Sequence, residues 1–232
     1  MKPSLDCIPC LARHGLSALR LATDDEQVHQ RVLREVMAAL SRIDMSAPPP
    51  AMAQQIHRLI RDAAGVADPY RSVKQRYNQL ALDLAVDLGE RIAAAPEPLI
   101  MALRLALAGN AIDFGAYVDL CESDLHRALD DALTVPFEPQ AATFRAALRG
   151  VQDVLYLADN AGEIVFDRLL IEQLPCERIT VAVRGAPVIN DATREDAEMV
   201  GLVSRYEVID NGSDVPGTML ADCSAAFRRR FE

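Results

Sequence analysis

Two periodicities divide the chain. From the N-terminus to about residue 150, apolar residues recur every three or four positions, the spacing of amphipathic helices. Val28, Val32, Val36 and Leu40 form one such stripe, and Thr23 followed by Glu26 reads as the capping box that opens it. Pro48-Pro49-Pro50 stops this helix and is expected to lie outside the next, which runs through Met52, Ile56, Leu59 and Ile60. Asp68-Pro69 reads as an N-cap with proline at the first helical position, ahead of a long helix through Val73, Tyr77, Leu80, Leu84 and Leu88. A further apolar helix covers Leu99 to Ala108. It is expected to end at Gly109-Asn110, both tolerant of left-handed backbone.

After about residue 150 the pattern changes. Val154-Leu155-Tyr156-Leu157 is a short apolar run bounded by Asp159-Asn160-Ala161-Gly162, and a helix follows through Ile164, Phe166, Leu169, Leu170 and Leu174. Ile179 to Val183 predicts a second strand, followed by Arg184-Gly185; Asp191 to Met199 predicts a helix; Tyr206 to Ile209 predicts a third strand, followed by Asp210-Asn211-Gly212. Strands alternating with helices are the sequence form of a parallel sheet with crossover connections. The expected class is therefore α/β, Rossmann-like in its second half.

Composition narrows the function classes. Lys and Arg number 24 against 34 Asp and Glu, a net charge of −10, so a nucleic-acid surface is not expected. Half the residues are hydrophobic, but charges break every long apolar run, so no membrane span is expected. The N-terminal residues show no apolar leader segment, which makes the cytoplasm the default compartment. Five scattered cysteines do not form a secreted disulfide framework. Nothing in the pattern bears on oligomeric state.

The polar residues of the second half cluster where strands end: Asp159-Asn160, Arg184 and Asp210-Asn211. Parallel α/β sheets bind ligands at that edge, because loops and helix N-termini converge there. Asp159 and Asn160 supply hard oxygen donors suited to Mg²⁺ or Mn²⁺, and Asn190-Asp191 adds a carboxylate from the next crossover. The helix beginning near Gly162 would point free N–H groups at the same spot. The plainer reading of Asp159-Asn160 is a helix cap or turn, and Glu163 and Asp167 fit a solvated helix face. Gly109-Asn110 and Asp113-Phe114-Gly115 fit a cap and a turn, although rigid polar residues after so apolar a helix are notable.

Absent motifs exclude several chemistries. There is no GxGxxG and no P-loop, no G-x-S-x-G elbow, and no Asp-x-Asp at a strand end. The four histidines (His14, His29, His57, His126) all precede the α/β half. Cys7-Ile8-Pro9-Cys10, followed by His14, could hold zinc or form a redox pair. Without a second CxxC, a packing role for the N-terminal arm is the simpler alternative.

Five blocks occur in a familiar order: MKPSLDCIPCLARHGL, LALAGNAIDFG, YLADNAGEIVFDRLLIEQL, VRGAPVINDATREDA and VIDNGSDVPGT. Together they span nearly the whole chain, and in them the chain resembles the DUF89 family of ARMT1-like, metal-dependent damage-control phosphatases, in its prokaryotic CxxC-containing branch. The resemblance implies a helical N-terminal domain (about 1–95) packed on an αβα three-layer Rossmann-like domain (about 96–232, its sheet mostly in 150–232).

It also implies a divalent cation (Mn, Mg, Co or Ni) held by Asp159, Asn160 and Asp191, and a small phosphorylated metabolite as substrate. Asn110 and Asp113 match the family's active-site face on the helical side, and Arg184 falls where members carry a basic residue, usually Lys. Family members continue into a further strand and a Lys-Gly-x-x-Asn-type loop. This chain stops at Phe231-Glu232, so a C-terminally truncated fold with an incomplete phosphate clamp is expected.

The expected activity is metal-assisted hydrolysis of a small phosphate ester. Asp159 and Asp191 ligate the metal and Asn160 completes the shell. Asp113 or Glu163 positions water, while Arg184, Asn190, Asn110 and the N–H groups near Gly162 hold the substrate. The alternatives are a non-catalytic phosphometabolite or metal binder, and a metal-carrier or redox protein centred on Cys7 and Cys10. A methyltransferase ranks below both, because no Gly-rich cofactor loop follows the first strand.

Overall fold

The computed structural model describes residues 2–111, 127, 129–131 and 133–232. The first three helices, α1 (Cys7–Ala22), α2 (Glu26–Leu40) and α3 (Pro49–Ala64), pack against one another. Their apolar stripes meet in one core around Leu19, Val32, Val36, Met52, Ile56 and Ile60.

Several helix starts differ from the sequence expectation. The cap of α2 is Asp25, whose Oδ1 accepts from the N–H groups of Gln27 and Val28, while Thr23 accepts from Asp25 N–H. The prolines do not lie outside α3: Pro48 is its N-cap, and Pro49 and Pro50 form its first turn. The missing N–H costs nothing there, since first-turn N–H groups have no intrahelical acceptor.

Helix α4 (Arg71–Ala94) begins two residues later than Asp68-Pro69 suggests, because Asp68 caps the preceding turn by accepting from Tyr70 N–H. It belongs to a second core. Its Tyr77, Ala81, Leu84 and Leu88 pack with Leu105 of α5 (Pro98–Ala111), and with Ile164, Phe166 and Leu170 of α7 (Glu163–Ile171). Helix α6 (Glu138–Ala147) precedes the sheet. Among the described residues no helix is long and apolar enough to cross a membrane.

Gly109 does not terminate α5. The helix runs on through it, and a Cβ at this position would lie 2.7 Å from Phe166 Cδ2. Glycine therefore sets the distance between α5 and α7. Gly109→Ala gains about 1 kcal/mol of helix propensity, but forces a fully buried ring to move at a cost of about 1–3 kcal/mol. The expected outcome is a lower melting temperature despite the better helix former, read by thermal denaturation.

The sheet is parallel, in the order β1 (Asp153–Leu157), β2 (Arg178–Val183), β3 (Glu207–Asp210), with Leu157 opposite Ala182 and Val183 opposite Asp210. Its two faces follow from strand alternation. Val181, Val183 and Val208 face the core shared with α4, α5 and α7. Leu155, Ala182 and Ile209 face Cys223 and Phe227, the latter from α9 (Ala225–Phe231). The result is three layers, as expected.

One predicted helix is shortened: α8 spans Arg194–Met199 and is opened by a Thr193/Asp196 capping box. Residues 191–193 instead pair with the segments after β1 and β2, through bridges Asn160–Asp191 and Arg184–Thr193.

The helical bundle is fastened to the loop after β3 by Asp214. Its buried carboxylate accepts from Gln54 Nε2 at 2.7 Å, Arg58 Nε at 2.9 Å and Arg61 Nη2 at 2.6 Å. These three donors lie on one face of α3.

Candidate active site

At the carboxyl edge of the sheet, two loops are zipped together by their backbones. Ala192 N–H donates to Asp159 O at 2.7 Å, Ala161 N–H to Asn190 O at 2.9 Å, and Arg184 N–H to Ala192 O at 2.9 Å. This pairing brings Asp159, Asn160 and Asp191, separated by thirty residues of chain, onto one rim. Arg184, one residue past β2, completes the cluster: its Nε donates to Asp191 Oδ2 at 2.6 Å and its Nη2 to Asp159 Oδ1 at 2.9 Å.

The environments of the two acids differ. Asp159 has a side chain 49% exposed, whereas that of Asp191 is buried. Burial, reinforced by the nearby Asp159 charge and opposed by Arg184, pushes the Asp191 carboxyl up to about 6. Two carboxylates against one guanidinium leave the cluster short of positive charge.

Asn160 is held by Glu163. The Asn160 amide nitrogen donates to Glu163 Oε2 at 3.1 Å, and Asn110 Nδ2 donates to Glu163 Oε1 at 2.8 Å. Both Glu163 oxygens are therefore engaged, and burial raises its pKa. Glu163 is not on a solvated face, and neither is Asp167, one turn on. Asp167 is buried, accepts from Tyr156 Oη at 2.6 Å, and is raised well above the usual carboxylate range by burial and by Glu163.

Gly162 adopts φ 83°, a conformation that favours glycine. Its N–H is not free to face a ligand: it donates to Asn78 Oδ1 at 2.7 Å. Asn190 enters through its carbonyl, which accepts from Ala161. Asp113 lies outside the described residues.

The sequence reading missed the support beneath this rim. Lys74 and Asn78, four apart on the buried stripe of α4, reach under it. Lys74 Nζ lies 2.8 Å from Asp196 Oδ2, 3.1 Å from Asp68 Oδ2 and 3.4 Å from the Asp191 carbonyl. Burial alone would lower its pKa, but the carboxylates of Asp196 and Asp68 hold it above the ordinary value. Asn78 Nδ2 donates to Asp196 Oδ1 at 2.9 Å while its oxygen holds Gly162. The available signal was two polar side chains in the path of an apolar stripe.

The donor chemistry fits a hard divalent cation: two carboxylates and an amide whose nitrogen is already bonded to Glu163, leaving its oxygen as the donor. Among the described residues, no three His, Cys, Asp or Glu side chains come together to hold a metal. Cys7 and Cys10 are free thiols in the first turn of α1, Cys10 exposed.

His57, tilted against the Tyr70 ring, is buried, its Nε2 without a hydrogen-bond partner among the described residues, and burial lowers its pKa to about 4. Between pH 6.5 and 4 the unfolded chain takes up a proton here that the folded one refuses, so this group lowers stability as pH falls. His57→Leu should therefore gain on the parent protein by about 1.4 kcal/mol per pH unit across that window. Paired denaturant melts at pH 7 and pH 5 check this.

A family model for the damage-control phosphatase ARMT1-like domain matches residues 4–232. An uncharacterized protein of Methanocaldococcus jannaschii is 32% identical over 237 residues, covering 98% of this chain and 77% of that protein. A damage-control phosphatase of Archaeoglobus fulgidus is 31% identical over 241 residues, covering 100% of this chain and 82% of its own length. The crystal structure of a DUF89 family protein from Pyrococcus horikoshii superposes with a TM-score of 0.87 at 27% identity, covering 100% of this chain and 81% of that one.

Proposed function

Because this chain belongs to the damage-control phosphatase ARMT1-like domain family, we propose that it hydrolyses small phosphate monoesters using a divalent metal held by Asp159, Asn160 and Asp191. The observation that carries this reading is the convergence of those three oxygen donors with Arg184 at the carboxyl edge of a parallel sheet, where such folds bind ligands. When bound, the metal polarises a phosphate oxygen and lowers the pKa of water.

The chain's own residues supply the rest. Asp159 and Asp191 offer carboxylate oxygens from the two zipped loops. Glu163 holds the Asn160 amide by its nitrogen, which leaves the amide oxygen as the donor to the metal. Arg184 places a planar set of N–H donors beside the same rim, suited to charge spreading over a transferring phosphoryl group. With both Glu163 oxygens engaged, the carboxylate proposed to orient water is Asp113, on the strength of the sequence. Lys74, Asn78 and Asp196 brace the loops from below.

The substrate class is a small phosphorylated metabolite, such as a sugar phosphate or a damaged cofactor phosphate. The test is release of inorganic phosphate from p-nitrophenyl phosphate and a panel of sugar phosphates by EDTA-stripped protein. Mn²⁺, Mg²⁺, Co²⁺ and Ni²⁺ would be restored one at a time. Release is expected only with metal. Undiminished release in EDTA would refute the metal requirement, and none from any ester under any metal would refute the hydrolase.

A further inference from the structure

Arg184 sits where the two carboxylates of the proposed metal site meet. It bonds Asp191 Oδ2 at 2.6 Å through Nε and Asp159 Oδ1 at 2.9 Å through Nη2, with its own side chain only 5% exposed. A guanidinium is planar, and its donors point in fixed directions. Engaged on both sides, it acts as a cross-link between the two loops. A divalent cation needs lone pairs on the same two carboxylates and is repelled by the charge of Arg184. The two cations therefore compete for Asp159 and Asp191.

We propose that Arg184 is a displaceable lock on the metal site: it ties Asp159 to Asp191 until a divalent cation takes them, and is thereby released to the incoming phosphate. This rests on the metal-site reading above. The charges order the events. Arg184 (+1) with Asp159 and Asp191 (−1 each) sums to −1. A divalent cation brings the sum to +1, and a phosphate dianion returns it to −1. The metal-free cluster repels phosphate and the loaded cluster attracts it, so metal binds first.

The exchange needs only side-chain rotation. The Arg184 backbone is held by its N–H bond to Ala192 O and its pairing with Thr193, so the freed guanidinium stays beside the rim. Its N–H donors are then available for bidentate phosphate recognition. Phosphate and metal should tighten each other's binding by the same factor, as linkage requires.

Two substitutions separate a lock from a mere positive charge. Arg184→Lys keeps the charge but lacks the fork that spans both acids, and Arg184→Met removes charge and fork together. The measurement is calorimetric titration of EDTA-stripped full chain with Mn²⁺, without phosphate and with inorganic phosphate.

In phosphate-free buffer both variants should bind Mn²⁺ roughly tenfold tighter than the parent, the worth of about one charge-assisted hydrogen bond. Phosphate should tighten Mn²⁺ binding to the parent and do so less in Arg184→Met, where only the direct contact between metal and phosphate remains; equal tightening in both would overturn the release of Arg184 to phosphate. Tighter binding by Arg184→Met alone would reduce the effect to charge and overturn the lock. Equal affinity in all three proteins, or weaker binding in both variants, would overturn it too. Mn²⁺ binding by none of the three would instead defeat the metal-site reading, and the lock with it.

Discussion

Asp159→Ala should lower metal-dependent phosphate release about a thousandfold while leaving the protein folded. Losing a carboxylate donor removes or displaces the cation, whose stabilisation of the transition state is worth several kcal/mol. About 4 kcal/mol corresponds to that factor. The fold should tolerate the change because the Asp159 side chain is 49% exposed, and half-exposed ion pairs contribute about 0–1 kcal/mol. Asp191 is a less clean choice, since its removal strips the buried Arg184 of its shorter bond. Turnover and melting temperature measured on the same preparation check both halves. Activity within tenfold of the parent would remove Asp159 from the site.

Asp214→Ala should produce the largest loss of stability, about 3–5 kcal/mol, the range for breaking a buried ion pair from one side. The carboxylate ties together Gln54, Arg58 and Arg61 of α3, and Arg61 is mostly buried. Without it, the mostly buried Arg61 guanidinium loses the carboxylate it pairs with at 2.6 Å, at the junction between bundle and sheet.

These donors hold the Asp214 carboxyl well below the usual carboxylate range, even though burial alone would raise it. A carboxylate with a depressed folded pKa stabilises above its unfolded value near 3.8 and loses that contribution as pH falls further. The stability gap between parent and Asp214→Ala should therefore be constant from pH 5 to 8 and narrow below pH 4. Urea melts across that range provide the check, and a flat gap down to pH 2 would count against the pairing.

The strands were legible because each is a short apolar run punctuated by polar turn residues. The structure places them within a residue or two of the expected spans. Helix punctuation was read less well. Pro49 and Pro50 read as breakers in the sequence but open α3, and Gly109 reads as a cap but makes room for Phe166. For the prolines the deciding fact is local, a first turn whose missing N–H groups would have had no intrahelical acceptor; for Gly109 it is a ring from a helix more than fifty residues on.

The rim, Asp191 included, follows from the rule that parallel sheets bind ligands at their carboxyl edge, and the resemblance adds that Asp191 is a metal ligand. The supports beneath it were hidden, because Lys74 and Asn78 find Asp196 and Gly162 only after α4 packs on the sheet. Asp214 was invisible for the same reason, its partners lying more than 150 residues away.

The most direct test of the central claim locates the metal. Crystals grown with Mn²⁺ and inorganic phosphate should give an anomalous difference peak bounded by the oxygens of Asp159, Asn160 and Asp191. Phosphate density should lie beside the Arg184 guanidinium. A manganese peak elsewhere, such as beside Cys7, Cys10 and His14, with that rim empty, would contradict the account.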